Sequence, residues 1–265
     1  MRTKITVPTI STMKSKEAIT AITAYDFPST KVADTAEADI ILVGDSLAMV
    51  VLGHENTLNL TIEQMCHHVQ AVSNAKPASL VVADMPWMSF HISVEQTLEN
   101  AAKLIRSGAE AVKIEGGHSR INMIEALISA EIPVMGHLGL TPQSVNAMGG
   151  YKVQAKSEAA SEQLFLDAKA LESAGCFAIV IEGVPAEVGK KVTELLEIPT
   201  IGIGAGPETD GQILVFHDLV GLENRFKPKF VRRYGNSFEE QVTAVKKYVQ
   251  DVKDKSFPSE TESYN

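Results

Sequence analysis

The sequence predicts a single (β/α)₈ barrel. Three observations lead there: eight short apolar runs, amphipathic stretches of helical length between most of them, and a length of 265 residues, close to the roughly 250 typical of one such barrel. Parallel strands are buried on both faces and read as continuous apolar runs, not as alternations. The runs are Ala18–Tyr25, Asp39–Asp45, Ser79–Asp84, Ala111–Glu115, Ile132–Leu138, Phe177–Glu182, Pro199–Gly204 and Ile213–His217. Repeated strand–helix alternation implies crossover connections and a parallel sheet. Eight strands favour closure, with an open doubly wound sheet as the rival architecture.

The intervening segments carry their own punctuation. Thr61–Asn74 follows Asn59-Leu60 and has an acidic first turn. Ser93–Ser107 starts on Ser93 with Gln96 three residues on, a capping-box pattern, and stops before Gly108. Ser119–Ala130, Ser157–Ala174 and Pro185–Leu196 follow, the last with proline at a helix start, and Phe238–Lys253 reads as a final helix. Between the seventh and eighth runs only AGPETDGQ intervenes, too short for a full crossover helix, so a turn or short helix is expected there. No linker or composition shift divides the chain. The expected organisation is a barrel domain over 1–255 and a polar tail over 256–265.

Composition narrows the chemistry. The 45% apolar and 22% charged content is ordinary for a globular protein. A net charge of −9 without an evident basic block argues against nucleic acid as a partner. An acidic protein that binds an anionic substrate needs a metal ion or local cations. Cys66 and Cys176 form no CxxC pair, which makes a thiolate metal site or disulfide framework improbable. No run approaches the ~20 apolar residues of a membrane span, and Met1–Lys16 lacks an apolar signal core. The expected location is the cytoplasm.

Ionisable residues end five successive apolar runs: Asp45 beside Ser46, Asp84, Lys113 with Glu115, His137, and Glu182. In a barrel these ends share one mouth, where barrel active sites lie. Each has a plainer reading. Asp45 can cap the next helix, Asp84 before Met85-Pro86 can form a turn, and Lys113 and Glu115, on one face of their strand, can satisfy each other. Taken together the set points to chemistry. Asp45, Asp84 and Glu115 come from adjacent strands and supply hard oxygen ligands suited to Mg²⁺. A 2-oxo acid offers that ion a carboxylate and a carbonyl oxygen, and the ion polarises the carbonyl as a Lewis acid. Lys113 balances charge at the substrate, and Glu182, across the barrel, is free to act as a base. Zinc is disfavoured by the absence of a His/Cys cluster in the sequence. His137 reads equally as a substrate ligand or a hydrogen-bonded wall residue. His67 and His68 read as surface or packing residues. GIGAG, 202–206, is either a phosphate-cradling turn or a set of tight-turn glycines, and the long loop Thr141–Ser157, with Gly149-Gly150, is either a lid or a surface excursion.

The stretches ITAYD (22–26), LVGDSLAMVVLGHENTL (42–58), VKIEGG (112–117), GHLGLTPQSVNAMGGYKVQ (136–154) and IGIGAGPETDGQILVFHD (201–218) resemble those of the ketopantoate hydroxymethyltransferase family, from about Lys4 to Tyr248. The resemblance implies a (β/α)₈ barrel of the phosphoenolpyruvate/pyruvate-like kind, with Mg²⁺ on Asp45, Asp84 and Glu115. It places the 2-oxo acid against Asp45, Ser46, Asp84 and Lys113, with Glu182 as proton acceptor. It implies hydroxymethyl transfer from 5,10-methylenetetrahydrofolate to 3-methyl-2-oxobutanoate, giving 2-dehydropantoate on the route to pantothenate and coenzyme A, by a cytoplasmic homo-oligomer, commonly a decamer. Gly183 stands where the family often has Cys, and Ala48 where it often has Gly. The rival readings are a Mg²⁺-dependent carbon–carbon lyase of the same barrel type, against which the missing KKCGH-like motif argues, and a barrel that binds an oxo acid or folate without catalysis.

Overall fold

The computed structural model describes residues 2–223, 225 and 227–264. Eight parallel strands close into a barrel in sequence order: β1 (Ile19–Thr23), β2 (Ile40–Val43), β3 (Leu80–Asp84), β4 (Ala111–Glu115), β5 (Val134–Gly139), β6 (Ala178–Glu182), β7 (Thr200–Ile203) and β8 (Gly211–Leu214). The predicted barrel is therefore observed and the open sheet is not. Closure is made by β8 lying beside β1, with Ile19 opposite Gly211 and Ala21 opposite Ile213. Gly211 is required at this seam, because a Cβ there would lie 2.4 Å from the Ile19 carbonyl oxygen. That pairing starts the eighth strand earlier than the run Ile213–His217 suggests. Its latter half turns instead into the short helix Phe216–Leu219.

The crossover helices follow their caps. Thr61 and Gln64 form a reciprocal box at the head of Ile62–Ser73, with Gln64 N–H on Thr61 Oγ1 at 3.2 Å and Thr61 N–H on Gln64 Oε1 at 3.0 Å. The box expected at Ser93 is only half made. Ser93 Oγ accepts from Gln96 N–H at 3.2 Å, but Gln96 Oε1 is buried without a hydrogen bond and does not return to the cap. No helix stands between β7 and β8, where turns alone connect the strands. The GIGAG glycines serve close packing there: Gly206 has φ +86° and a Cβ on it would lie 2.6 Å from Ala186 Cβ.

Two apolar layers result from the two faces of each strand. Ile41, Val43, Val81, Ala83, Val112 and Ile114 face outward into the layer beneath the helices. Ile40, Leu42, Leu80, Val82, Ala111, Met135, Ala178 and Val180 fill the barrel, and Ile10 and Met13 of the N-terminal segment pack with them. Following the inward face of each strand with its period of two, the apolar filling gives way to Asp84 on β3, Lys113 and Glu115 on β4, His137 on β5 and Glu182 on β6. By internal packing the chain resolves into two compact units, Met1–Phe216 and His217–Asn265. The first contains the barrel. The second contains the helix Ser237–Lys253, close to the predicted Phe238–Lys253. No helix among the described residues is long and apolar enough to cross a membrane.

Candidate active site

Strand register sets the neighbours at the mouth. Asp84 lies directly opposite Lys113, Glu115 opposite His137 and Gly139 opposite Glu182. Gly139, at φ +91°, lets β5 approach β6 closely, since a Cβ would lie 2.2 Å from the Glu182 carbonyl oxygen. Asp45 is held in the turn after β2, where its N–H donates to Asp84 Oδ2 at 2.9 Å. Ser46 does not cap the short helix Leu47–Val50. Its Oγ lies 2.8 Å from the Tyr25 hydroxyl, which accepts from Thr23 Oγ1 at 2.7 Å. Of the seven residues singled out for catalysis, substrate binding or metal binding, Asp45, Asp84, Lys113, Glu115, His137 and Glu182 thus share one centre, and Ser46 follows Asp45 in the same turn. Asp45, Asp84, Lys113, Glu115 and His137 are each 5% exposed or less.

The pairing within that centre differs from the simplest sequence reading. Lys113 and Glu115 do not satisfy each other. Lys113 Nζ contacts Asp84 Oδ1 at 2.8 Å and lies 3.2 Å from His137 Nδ1. Glu115 Oε2 accepts from Gln143 N–H at 3.0 Å, and its Oε1 lies 3.4 Å from His137 Nδ1. Glu182 is not free across the barrel, because β6 is the immediate neighbour of β5 and its Oε2 lies 3.2 Å from His137 Nε2. His137 therefore bridges two carboxylates. These are close ion-pair contacts whose geometry falls short of good hydrogen bonds, since Glu115 Oε1 and His137 Nε2 have no aligned partner. His68, by contrast, is a packing residue, with Nδ1 2.7 Å from the Tyr25 carbonyl oxygen.

Electrostatics follow from burial and these neighbours. Burial and the adjacent ammonium of Lys113 push His137 down, but Glu115 and Glu182 outweigh them and hold it at about 9. Burial also disfavours the Lys113 ammonium, yet Asp84, Glu115 and Asp45 keep its pKa above the usual lysine value. Burial, then the Asp84 and Glu115 charges, raise Asp45 well above the ordinary carboxylate range, against the opposing pull of Lys113 and Gln143. Glu115 is held below that range because His137, Lys113 and Gln143 overcome its burial.

Among the described residues no three His, Cys, Asp or Glu side chains form a ready-made ligand cage. The donor set still fits a hard divalent ion. Mg²⁺ is usually held by one or two carboxylates and fills its shell with water and substrate. Four carboxylates, Asp45, Asp84, Glu115 and Glu182, face two cations, Lys113 and His137, so the fully ionised centre lacks two positive charges. Burial is the first cause of the raised pKa of Asp45, and the Asp84 and Glu115 charges add to it.

Two residues of this neighbourhood were not singled out in the sequence. Gln143, 6% exposed, contacts both Asp45 and Glu115. Tyr151 lies near the centre, for burial and the Asp45, Glu182 and Glu115 carboxylates raise its pKa, and its hydroxyl reaches Met49 Sδ at 3.7 Å. Both sit in the loop Thr141–Ser157. The available signal was that a loop leaving the end of β5 must pass the mouth.

Fold and site together define a (β/α)₈-barrel enzyme with a buried acidic centre at the C-terminal ends of its strands. In fold the chain is similar to a phosphonopyruvate hydrolase whose structure contains oxalate and Mg²⁺ (TM-score 0.60, 15% identity, 97% of this chain and 92% of that one). It is likewise similar to a 2,3-dimethylmalate lyase of the PEP mutase/isocitrate lyase superfamily (TM-score 0.61, 18% identity, 96% and 89%). The chain belongs to the ketopantoate hydroxymethyltransferase family, whose model matches residues 4–260. It is 51% identical to a 3-methyl-2-oxobutanoate hydroxymethyltransferase of Moorella thermoacetica, over 99% of this chain and 98% of the relative. It is 52% identical to the protein of that name from Caldicellulosiruptor bescii, over 98% and 99%.

Proposed function

We propose that this chain transfers a hydroxymethyl group from 5,10-methylenetetrahydrofolate to 3-methyl-2-oxobutanoate, giving 2-dehydropantoate, and that Asp45, Asp84 and Glu115 hold the Mg²⁺ ion the reaction uses. The observation that carries the reading is the charge deficit of a buried centre built from adjacent strand ends, in a chain of this family. When bound, Mg²⁺ supplies Lewis-acid polarisation of the oxo group. The rest falls to the chain's own residues. Lys113, fixed by Asp84, presents a positive charge to the substrate carboxylate. Ser46, oriented by Tyr25, offers a hydroxyl to the same substrate. Glu182 takes the proton from C3 of the oxo acid, the resulting carbanion attacks the folate methylene carbon as one of its C–N bonds opens, and water supplies the hydroxyl as the second C–N bond breaks and tetrahydrofolate leaves. His137 keeps Glu182 aligned and spreads its charge toward Glu115. A carboxylate within hydrogen-bond reach of the proton is what general-base catalysis requires.

The proposal includes a homodecameric, cytoplasmic enzyme. Closed symmetric assembly is the usual form of soluble oligomers, and a monomer by sedimentation at micromolar concentration would remove that part. The central test is incubation with 3-methyl-2-oxobutanoate, methylenetetrahydrofolate and Mg²⁺ with identification of the product by mass spectrometry and NMR. Formation of 2-dehydropantoate is expected. Cleavage of a dimethylmalate-type substrate without hydroxymethyl transfer would overturn the reading in favour of a lyase, and no turnover in the folded protein would favour a binding role.

A further inference from the structure

Gln143 connects four consecutive strand ends. It follows β5 in the 3₁₀ turn Pro142–Ser144. Its backbone N–H donates to Glu115 Oε2 at the end of β4, at 3.0 Å. Its side-chain Nε2 donates to Asp45 Oδ2 after β2, at 2.9 Å, and to the Met85 carbonyl oxygen just past β3, at 3.0 Å. A side-chain amide carries two N–H donors, so both are spent. The orientation of the amide is therefore determined: turned over, Oε1 would face a carboxylate and a carbonyl, all acceptors. Oε1 is buried and has no hydrogen-bond partner among the described residues. A buried acceptor left without a donor is unusual, and here it belongs to a residue bonded to two of the three carboxylates, Asp45 and Glu115, that the proposed function assigns to the metal.

We propose that Gln143 is a positioning residue that sets the orientation of Asp45 relative to Glu115 and thereby the divalent-cation affinity of the centre. It holds one carboxylate through its side chain and the other through its backbone, so neither can turn without breaking a bond to the same residue. Groups that orient metal-binding carboxylates in this way typically account for a 10–100-fold effect on affinity. The orphan Oε1 is an acceptor suited to a water of the ion's shell. The inference rests on the reading of Asp45 and Glu115 as metal ligands, and its test separates the two.

The variant is Gln143→Met, which keeps length and approximate volume and removes both side-chain bonds while the backbone N–H to Glu115 remains. Binding of Mn²⁺, used as a spectroscopic substitute for Mg²⁺, is titrated by electron paramagnetic resonance in the absence of substrates, beside wild type and Asp45→Asn. Wild type is expected to bind, Asp45→Asn to bind far more weakly, and Gln143→Met to show a dissociation constant raised about 10–100-fold with an unchanged circular dichroism spectrum. If Asp45→Asn loses affinity and folded Gln143→Met does not, the role of Gln143 is overturned and the metal reading stands. If wild type does not bind Mn²⁺, or Asp45→Asn binds as wild type does, the metal reading itself fails and the inference with it. Should Gln143→Met not fold, Gln143→Asn, one methylene too short to keep both contacts, is titrated in its place with the same criteria.

Discussion

Replacement of Lys113 by methionine tests the electrostatics of the centre directly. Lys113 and Asp84 are buried, 4% and 2% exposed, and their contact is 2.8 Å. Methionine fills much of the space of the lysine stem, so packing changes little and the removed charge dominates. Deleting one partner of a buried ion pair costs about 3–5 kcal/mol. An independent route gives a similar figure. The centre can relieve itself by keeping one more proton, and holding a carboxyl of ordinary pKa near ~4 neutral at about pH 7 costs roughly 4 kcal/mol. For a chain of this size that corresponds to a fall in Tm of roughly 8–16 °C. The sign of the pH dependence follows from the proton count. The native variant binds a proton that its unfolded chain lacks above ~pH 4, so the penalty relative to wild type is largest near neutrality. It shrinks by about 1.4 kcal/mol for each unit of acidification toward ~pH 4. The assay is urea denaturation of wild type and Lys113→Met in EDTA at about pH 7 and about pH 5. A penalty below about 1 kcal/mol, the scale of an exposed pair, or one that does not change with pH, would refute the account.

Glu182→Gln preserves shape and removes the proton acceptor; C3–H exchange of 3-methyl-2-oxobutanoate in D₂O with Mg²⁺ and no folate is expected to slow about 10²–10⁴-fold while oxo-acid binding is retained. Undiminished exchange in the folded variant would remove Glu182 from the role of base. The thiol of Cys176 is 2% exposed and burial pushes it up to about 12. Native-state alkylation followed by mass spectrometry should therefore leave Cys176 unmodified until the chain is unfolded, whereas prompt labelling would show that the layer beneath the helices is open to solvent.

The barrel was legible because its strands are buried on both faces and announce themselves as apolar runs, and because polar residues interrupt those runs only near their ends. Asp84, Lys113, Glu115, His137 and Glu182 could be placed at one mouth from that pattern alone. Their partners could not. Period two puts Lys113 and Glu115 on one face of β4, yet residues two apart on a strand stand well separated, and the closer neighbour of each lies across the ladder, on β3 for Lys113 and on β5 for Glu115. Strand register decides those contacts, and register is a property of the closed sheet. The same holds for Glu182, which sequence order leaves remote from His137 until β6 pairs with β5.

What the sequence by itself determined is the set of eight strands, the parallel closed architecture and the list of ionisable groups at one rim, since hydrophobic periodicity and strand-end chemistry are local properties. What only the tertiary structure decided is the wiring of that rim: Asp84 with Lys113, His137 between Glu115 and Glu182, and Gln143 joining Asp45 to Glu115 from the far side of a loop. Those contacts join residues separated by 22 (Glu115 to His137) to 98 positions along the chain. Pairing of neighbouring strands brings most of these groups together and the curvature of the sheet brings Gln143 to Asp45, in a site dry enough for each charge to alter the proton affinity of its neighbours.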